Sequence, residues 1–278
     1  MRLQRLCFLL LPLLTLPAYA DSVTLGSAAN FGVLGGSAVT NTGPTTINGD
    51  LGVSPGSAIT NTAGITINGV GYPGNTIVPN NPGSATAQSD ATAAYGVAKA
   101  LLGGTPLTGD LSTVGVLTPG IYSYSSSAGL ATGGALTLNF EGLSNASFVF
   151  QIGTSLITGS GSSVIIENPG SDDEVIWQVG SSATLGTTTA FEGNILALDS
   201  ITLDTGSTIG CGSALAQTGA VTLDANTITT GCNGVSENNG QPGGGGGGGS
   251  VVPEPGSITL FGMGLVALAK FVRRRLPS

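Results

Sequence analysis

The sequence predicts a mainly β protein built as a solenoid, and three observations carry this prediction. The segment 36–49 recurs as 56–69 with ten of 14 positions identical, and later motifs repeat every 18 to 20 residues. The chain is rich in glycine, with 47 in 278 residues, and only 8% of its residues are charged, which excludes helix bundles and coiled coils. One alanine-rich segment, 84–102, stands apart from the repeats. A period of this size in a chain rich in Gly, Thr, Ser, Val and Ile is typical of a β-solenoid.

Each repeat has room for three short strands and three tight corners. Gly, Asn and Asp provide the positive φ angles that such corners need. Alternation along the strands directs apolar residues such as Ile195, Ala197, Ile201 and Leu203 inward and leaves Thr and Ser outside. The repeats predict about seven or eight coils, stacked at about 4.8 Å per coil.

The segment 84–102 is predicted to be a helix. It follows Pro82-Gly83 and stops at Gly103-Gly104. Its apolar residues recur at spacings of three and four, so we expect one alanine-rich face to pack on a side of the solenoid. Such a helix would cover part of a surface that otherwise invites aggregation.

The N-terminus has the pattern of a secretory signal peptide, residues 1–20. Arg2 and Arg5 precede an apolar run, and Ala18-Tyr19-Ala20 forms a small-residue cleavage site, so we expect cleavage after Ala20. The run is shorter than a membrane-spanning helix needs, although a transmembrane helix is the alternative. Cys7 leaves with this peptide. The remaining Cys211 and Cys232 are predicted to form a disulfide at equivalent points of neighbouring coils, with two free buried cysteines as the alternative.

The C-terminus divides into a linker and a sorting signal. Residues 21–235 form the predicted folded domain, and the glycine-rich stretch 236–251 is a flexible tether. Residues 252–278 resemble a PEP-CTERM sorting tail, with Pro253-Glu254-Pro255, a short apolar helix and Arg273-Arg274-Arg275 in that order. The resemblance implies a Gram-negative bacterium, an exosortase as partner, and release or anchoring at the cell surface. A permanent C-terminal anchor is the alternative, with the arginines on the cytoplasmic side.

Composition also limits the chemistry. The segment 21–250 holds one basic residue, Lys99, against 14 acidic ones, so it has no basic surface for nucleic acid. The chain has no histidine, which removes the commonest base for activating a nucleophile and the commonest transition-metal ligand. We therefore expect no enzyme, no cofactor and no nucleic-acid partner.

Five motifs in collinear order resemble the ice-binding-like domain family, which includes antifreeze proteins of bacteria, diatoms and fungi. They are the segments 29–34, 47–56, 117–122, 148–153 and 177–186. The resemblance covers residues 22 to 232. It implies a right-handed, discontinuous β-helix of triangular cross-section with one long helix alongside, and it implies ice as the partner.

The family's ice-facing pattern, Thr-Ala/Gly-any-Thr/Asn, suggests which residues contact ice. Two tetrapeptides fit, 42–45 and 205–208, while 62–65 departs at its last position and Thr66 follows it. Threonine on a flat strand combines a hydroxyl with a methyl group and holds χ1 stiffly, so a repeating row can order water. The candidate ice-binding residues are Thr42, Thr45, Thr62, Thr66, Thr187, Thr189, Thr205, Thr208, Asn226 and Thr227.

Other polar clusters have simpler explanations. Asp172, Asp173 and Glu174 could gather calcium, but three adjacent acids cannot all face one ion, so we expect a solvated loop and no metal site. Asp199, Asp204 and Asp224 could suggest the paired carboxylates of a polysaccharide-cleaving enzyme. Asp204 and Asp224 occupy equivalent corner positions, however, so we interpret them as turn residues. The sequence thus predicts an exported, monomeric ice-binding protein. The alternative is a structural or adhesive surface protein, with exopolysaccharide as partner, that uses the same fold without touching ice.

Overall fold

The computed structural model describes residues 23–69, 77–79 and 82–231. These residues lie in one compact unit. The predicted signal peptide, Cys232, the predicted glycine-rich linker and the sorting tail lie outside the described residues. No helix within the described ranges combines the length and apolar character that a membrane span requires.

The described chain winds through three parallel sheets, which we name A, B and C. Every named strand pair is parallel, and each coil contributes one strand to each sheet along most of the stack. In spatial order, the strands of sheet A are Ile77–Pro79, Asp50–Val53, Phe31–Gly35, Ala214–Ala216, Asn194–Ala197, Glu174–Val179, Ser147–Ile152, Gly120–Tyr124 and Thr105–Pro106.

Sheets B and C complete the coils. The strands of sheet B are Ala128–Leu130, Leu156–Thr158, Ala183–Leu185, Ile201–Leu203, Val221–Leu223, Ala38–Asn41 and Ala58–Asn61. The strands of sheet C are Ile65–Ile67, Thr45–Asn48, Thr227–Thr229, Thr208–Ile209, Ala190–Phe191, Ser163–Glu167, Ala135–Asn139 and Val116–Leu117. In the described part of the chain, these parallel sheets of nine, seven and eight strands confirm the predicted solenoid.

The stack is discontinuous, as the resemblance implies. The N-terminal strand Phe31–Gly35 pairs with Ala214–Ala216, near the other end of the described sequence. The same junction joins the strands Ala38–Asn41 and Val221–Leu223 in sheet B. The first coils therefore stack on the last one, and the chain between them runs to the far end of the stack and winds back. We call this junction the seam.

The interior of the coils is one apolar column. Inward residues from all three sheets form a single cluster, and Ile195, Ala197 and Ile201 are fully buried in it, as predicted. The Trp177 ring stacks on Phe150 in the next coil, with centroids 4.0 Å apart, and its indole Nε1–H donates to the Glu192 carbonyl at 2.9 Å. This polar contact satisfies the only donor of a fully buried indole.

One long helix, α1 (Pro82–Ala100), covers sheet A. Its Ala87, Ala91, Ala94 and Ala98 are buried in a second apolar cluster against outward residues of the sheet. The side-chain amide of Gln151 donates to the carbonyls of Ala98 and Leu101, which lack helical partners at this end. Two short 3-10 helices, Gly26–Asn30 and Leu111–Thr113, complete the described elements. The helix leaves sheets B and C as the candidate binding surfaces.

Candidate ice-binding surfaces

A row of five threonines crosses the outer face of sheet B. The central residue of each strand points outward, because the residues on both sides of it point into the core. Strand register places these outward residues side by side in the order Gly129, Ile157, Thr184, Thr202, Thr222, Thr40 and Thr60. At about 4.8 Å per strand, the five adjacent threonines span about 19 Å. We name them the B ladder.

The B ladder offers its hydroxyl groups to solvent. Within the described residues, none of its five hydroxyls makes a hydrogen bond to the protein. Thr60 is exposed and the other four are partly exposed. The residues beside the ladder at the start of each strand are small, namely Ser182, Ser200, Ala220, Ala38 and Ala58. The threonine methyls and hydroxyls therefore stand clear of their neighbours, at positions fixed by a rigid sheet.

A second, shorter row lies on sheet C. Thr66, Thr46, Thr227 and Thr208 occupy adjacent strands in register, and Ala190 continues the row. Among the described residues these four hydroxyls also have no protein partner. We name them the C ladder. Its members Thr66, Thr208 and Thr227 are candidates of the sequence pattern that the structure brings together.

A parallel row of amides accompanies the C ladder. The Asn68 side-chain amide donates to Asn48 Oδ1 at 2.8 Å, and the Asn48 amide donates to Thr229 Oγ1 at 2.9 Å. These bonds fix the orientation of the amides along the stack. The row ends near Glu192, whose carboxylate lies against Gly210. Burial raises the pKa of the Glu192 carboxyl above its ordinary value, partly offset by a hydrogen bond from the Cys211 backbone amide.

Four other candidates lie at the corner between sheets B and C, and the hydroxyls of three of them make hydrogen bonds to the protein. Thr42 donates to the Leu223 carbonyl at 3.2 Å, and Thr62 donates to the Asn41 carbonyl at 3.0 Å. Thr205 donates to the Asp224 carboxylate. Thr187 is exposed at the same corner. All four residues border the B ladder, but the hydroxyls of Thr42, Thr62 and Thr205 stabilise the turns.

Three candidates are buried, and the prediction that they contact ice is wrong for them. Thr45, Thr189 and Asn226 are 2%, 0% and 1% exposed. Their side chains point inward at the same corner, where Thr189 Oγ1 lies 2.9 Å from Thr158 Oγ1. The physical reason is register. Thr45 precedes the outward Thr46 by one residue, and a shift of one residue along a strand exchanges the two faces.

The five B-ladder threonines were missed by sequence reasoning. The tetrapeptide pattern selects the corners, whereas the ladder residues sit between two inward residues, as in Ile201-Thr202-Leu203. The signal that could find them is this short triplet, which recurs in Val221-Thr222-Leu223 and Val39-Thr40-Asn41 at the repeat spacing.

The remaining polar clusters have structural roles. The buried Asp173 carboxylate accepts hydrogen bonds from the backbone amides of Ala146 and Gly170. Asp199 accepts from Ser181 and Thr218 at a corner. In the part of the chain that the structure describes, no three His, Cys, Asp or Glu side chains are grouped to hold a metal ion. Cys211 is disulfide-bonded, and the pairing with Cys232 stays a prediction because Cys232 lies outside the described residues.

These features define a class: a discontinuous parallel β-helix with one side covered by a helix and with threonine ladders on the other two. Residues 33–229 match the model of the ice-binding-like family, and the chain belongs to that family. Residues 251–275 match the PEP-CTERM protein-sorting motif.

Two curated relatives share most of their length with this chain. An ice-binding protein from Nostoc sp. (strain HG1) is 48% identical over 261 residues, which cover 93% of this chain and 90% of the relative. An ice-binding protein from Flavobacterium frigoris (strain PS1) is 33% identical over 221 residues, 75% of this chain and 76% of the relative.

Solved structures show the same architecture. The structure of an ice binding protein from an Antarctic biological consortium superposes with a TM-score of 0.69 and 40% identity, covering 76% of this chain and 92% of the other. An ice-binding protein from the Antarctic ascomycete Antarctomyces psychrotrophicus gives a TM-score of 0.66 and 38% identity, covering 76% and 98%. These neighbours confirm the β-helix fold that the sequence predicts.

Proposed function

We propose that this protein binds ice by adsorption, without a catalytic step, and that the B ladder is its principal contact surface. The observation that carries the proposal is the register of five threonines whose hydroxyls have no partner among the described residues. Relatives of the chain are named ice-binding proteins, which supports ice as the target.

The chemistry of the B ladder suits an ordered water lattice. Each threonine places a methyl group and a hydroxyl at a fixed position, because χ1 of a β-branched side chain is restricted. The hydroxyls can hydrogen-bond to ordered waters, and the rigid sheet loses little entropy on binding. Adsorbed molecules would curve the ice front between them and stop or reshape its growth.

The C ladder is a second surface of the same chemistry. Its four threonines include the candidates Thr66, Thr208 and Thr227, and Thr42, Thr62, Thr187 and Thr205 lie between the two ladders. Because sheets B and C are different sides of the coil, one flat crystal face cannot lie on both. We therefore assign the C ladder to ice in a different orientation.

The substitution Thr222→Tyr tests the B ladder. Thr222 is its central residue, and a bulky ring there would hold a flat ice surface away from its neighbours. We expect thermal hysteresis of the purified chain to fall to less than roughly a tenth, because central contacts of an interface matter most. The free energy of unfolding should change by less than about 1 kcal/mol, because the side chain is outward.

Two matched variants complete the experiment. Thr118→Tyr, at an exposed threonine between sheets C and A, should keep full hysteresis. Thr227→Tyr changes the C ladder in the same coil as Thr222, and we expect it to remove adsorption to one set of planes on a single-crystal ice hemisphere. Full hysteresis of a folded Thr222→Tyr variant would contradict the assignment to sheet B. An inactive wild-type chain would contradict ice binding itself.

We also propose that the chain is exported and sorted by an exosortase. The match of residues 251–275 to the sorting motif supports this proposal. Mass spectrometry of protein from a host with an exosortase should find a chain that begins at Asp21 and ends near Pro253-Glu254-Pro255. Replacement of Glu254 by Ala should leave the tail attached, and an intact tail on the unaltered chain would show permanent anchoring instead.

A further inference from the structure

The seam joins coils that are far apart in sequence. At most junctions of the stack, neighbouring coils follow each other directly along the chain, so a short connection keeps them in register. At the seam, the coil of Thr45–Asn48 packs on that of Thr227–Thr229, and hydrogen-bonded residues are 181 or 182 positions apart. Because no short connection joins these coils, their register depends on non-covalent contacts: strand pairing, side-chain hydrogen bonds, and the packing of α1 against both sides of the seam.

Among the described residues, four side-chain hydrogen bonds cross the seam, and one of them is fully buried. Thr42, Asn48 and Thr230 make partly buried bonds to the Leu223 carbonyl, Thr229 Oγ1 and the Asn48 carbonyl. The buried bond runs from the Asn226 backbone amide to Thr45 Oγ1 at 3.2 Å. Water cannot compete for this bond, so its loss would leave a buried donor without a partner.

The buried bond is part of a chain of polar contacts beneath the corner between sheets B and C. The Thr45 hydroxyl donates to Asn41 Oδ1 at 2.7 Å, and the Asn41 amide donates to Asn61 Oδ1 at 3.0 Å. On the other side of the seam, the Asn226 amide donates to the Ser207 carbonyl at 3.0 Å. Four successive coils are thus connected through buried or partly buried side chains.

Both ladders cross the seam beside this chain of contacts. In sheet B, Thr40 pairs with Thr222, and in sheet C, Thr46 pairs with Thr227. A small displacement at the seam would divide the B ladder into a row of two and a row of three. Ice adsorption through a flat face requires one continuous row, because each threonine must meet the same lattice plane.

We propose that Thr45 and Asn226 are positioning residues for ice binding, and that their buried hydrogen bond sets the register of both ladders across the seam. They do not contact ice. The inference rests on the proposed function, and it names the internal feature on which the continuity of the adsorbing surface depends.

The test compares Thr45→Val with Thr45→Ser in the purified chain. Valine keeps the size and β-branching of threonine but cannot accept from the Asn226 amide, whereas serine keeps the hydroxyl. We expect Thr45→Val to lower thermal hysteresis at least fivefold while circular dichroism shows a folded β-rich protein. Thr45→Ser should keep at least half of the wild-type value.

A matched control separates positioning from stability. Ser213, in the coil of Asn226, donates a buried hydrogen bond to Asn194 at 2.8 Å on the side of sheet A. Ser213→Ala therefore removes a buried bond between consecutive coils away from both ladders. Its urea midpoint should fall about as much as that of Thr45→Val, with full hysteresis at 0 °C.

The outcomes are distinct. Full hysteresis in a folded Thr45→Val variant, or an equal loss in Ser213→Ala, would overturn the positioning role and leave the proposed function intact. No hysteresis in the wild-type chain would overturn the proposed function itself. If Thr45→Val does not fold, Asn41→Ser removes the acceptor of the Thr45 hydroxyl instead, and the same loss of hysteresis is expected.

Discussion

The outer rows of sheets A and B come from the same coils, yet one is covered by protein and the other is open. Three successive coils across the seam each place a leucine outward on sheet A and a threonine outward on sheet B. The pairs are Leu34 with Thr40, Leu215 with Thr222, and Leu196 with Thr202. The leucines are fully buried beneath the helix region, whereas the threonines are partly exposed.

The two sheets therefore have the same regular backbone. The outward side chain of each strand determines whether a helix packs on the sheet or the sheet stays exposed. A row of leucines gains free energy when a helix removes it from water. A row of threonines would lose hydroxyl hydration under the same helix without finding partners. Covering sheet B with a helix would therefore not stabilise the protein, and its threonine row remains available to ordered water.

Exchanging the two residue types within one coil should have the largest effect on stability. Leu196 is fully buried, and Leu196→Thr removes apolar volume and buries a hydroxyl under α1. We expect a loss of about 3–5 kcal/mol in the free energy of unfolding, measured by urea denaturation. The reciprocal Thr202→Leu should change it by less than about 0.5 kcal/mol. Equal, small effects would mean that the helix does not seal sheet A.

A substitution at Ala91 tests how tightly α1 packs on sheet A. This residue is fully buried against sheet A, and Ala91→Leu forces extra volume into that contact. Overpacking should cost about 1–3 kcal/mol of unfolding free energy. Ala93→Leu, on the exposed face of the same helix, is the matched control and should stay within about 0.5 kcal/mol of wild type.

We expect the smallest effect, a change in thermal hysteresis, from extending the B ladder by one threonine. Ile157 is 53% exposed and sits in register beside Thr184 at the end of the B ladder. Ile157→Thr adds a sixth threonine, and we expect thermal hysteresis to rise by no more than about a fifth, because residues at the edge of a contact surface contribute less than central ones. Ile157→Ser adds the hydroxyl without the methyl and should give a smaller rise. Lower hysteresis in both variants would place the end of the adsorbing surface at Thr184.

The fold could be predicted well from the sequence, because the length of the repeat corresponds to one coil of the solenoid. The solenoid, the inward positions such as Ile195 and the helix could all be inferred from period and composition. The segment predicted as helix, 84–102, forms a helix over Pro82–Ala100. The discontinuity of the stack was predicted only from the family resemblance, because no local sequence pattern indicates that the coil of Thr40 packs beside that of Thr222.

The site was harder to predict, because a shift of one residue along a strand decides whether a side chain points outward or into the core. The tetrapeptide pattern placed Thr45 beside Thr208, but in the structure Thr46 occupies the row of Thr208 and Thr227. An error of one residue converts an outward side chain into a buried one. Sequence alone also could not show that the hydroxyls of Thr42 and Thr62 bond to backbone carbonyls at the corner.

The seam has a kinetic consequence. Thr40 and Thr222 are neighbours on the finished surface but leave the ribosome and the export machinery at opposite ends of synthesis. Contacts of such high sequence separation raise contact order and slow folding, because a long loop must close before they form. A partly translocated chain can therefore complete neither ladder. Both ladders are assembled only when the last coil, which carries Thr222 and Thr227, has emerged.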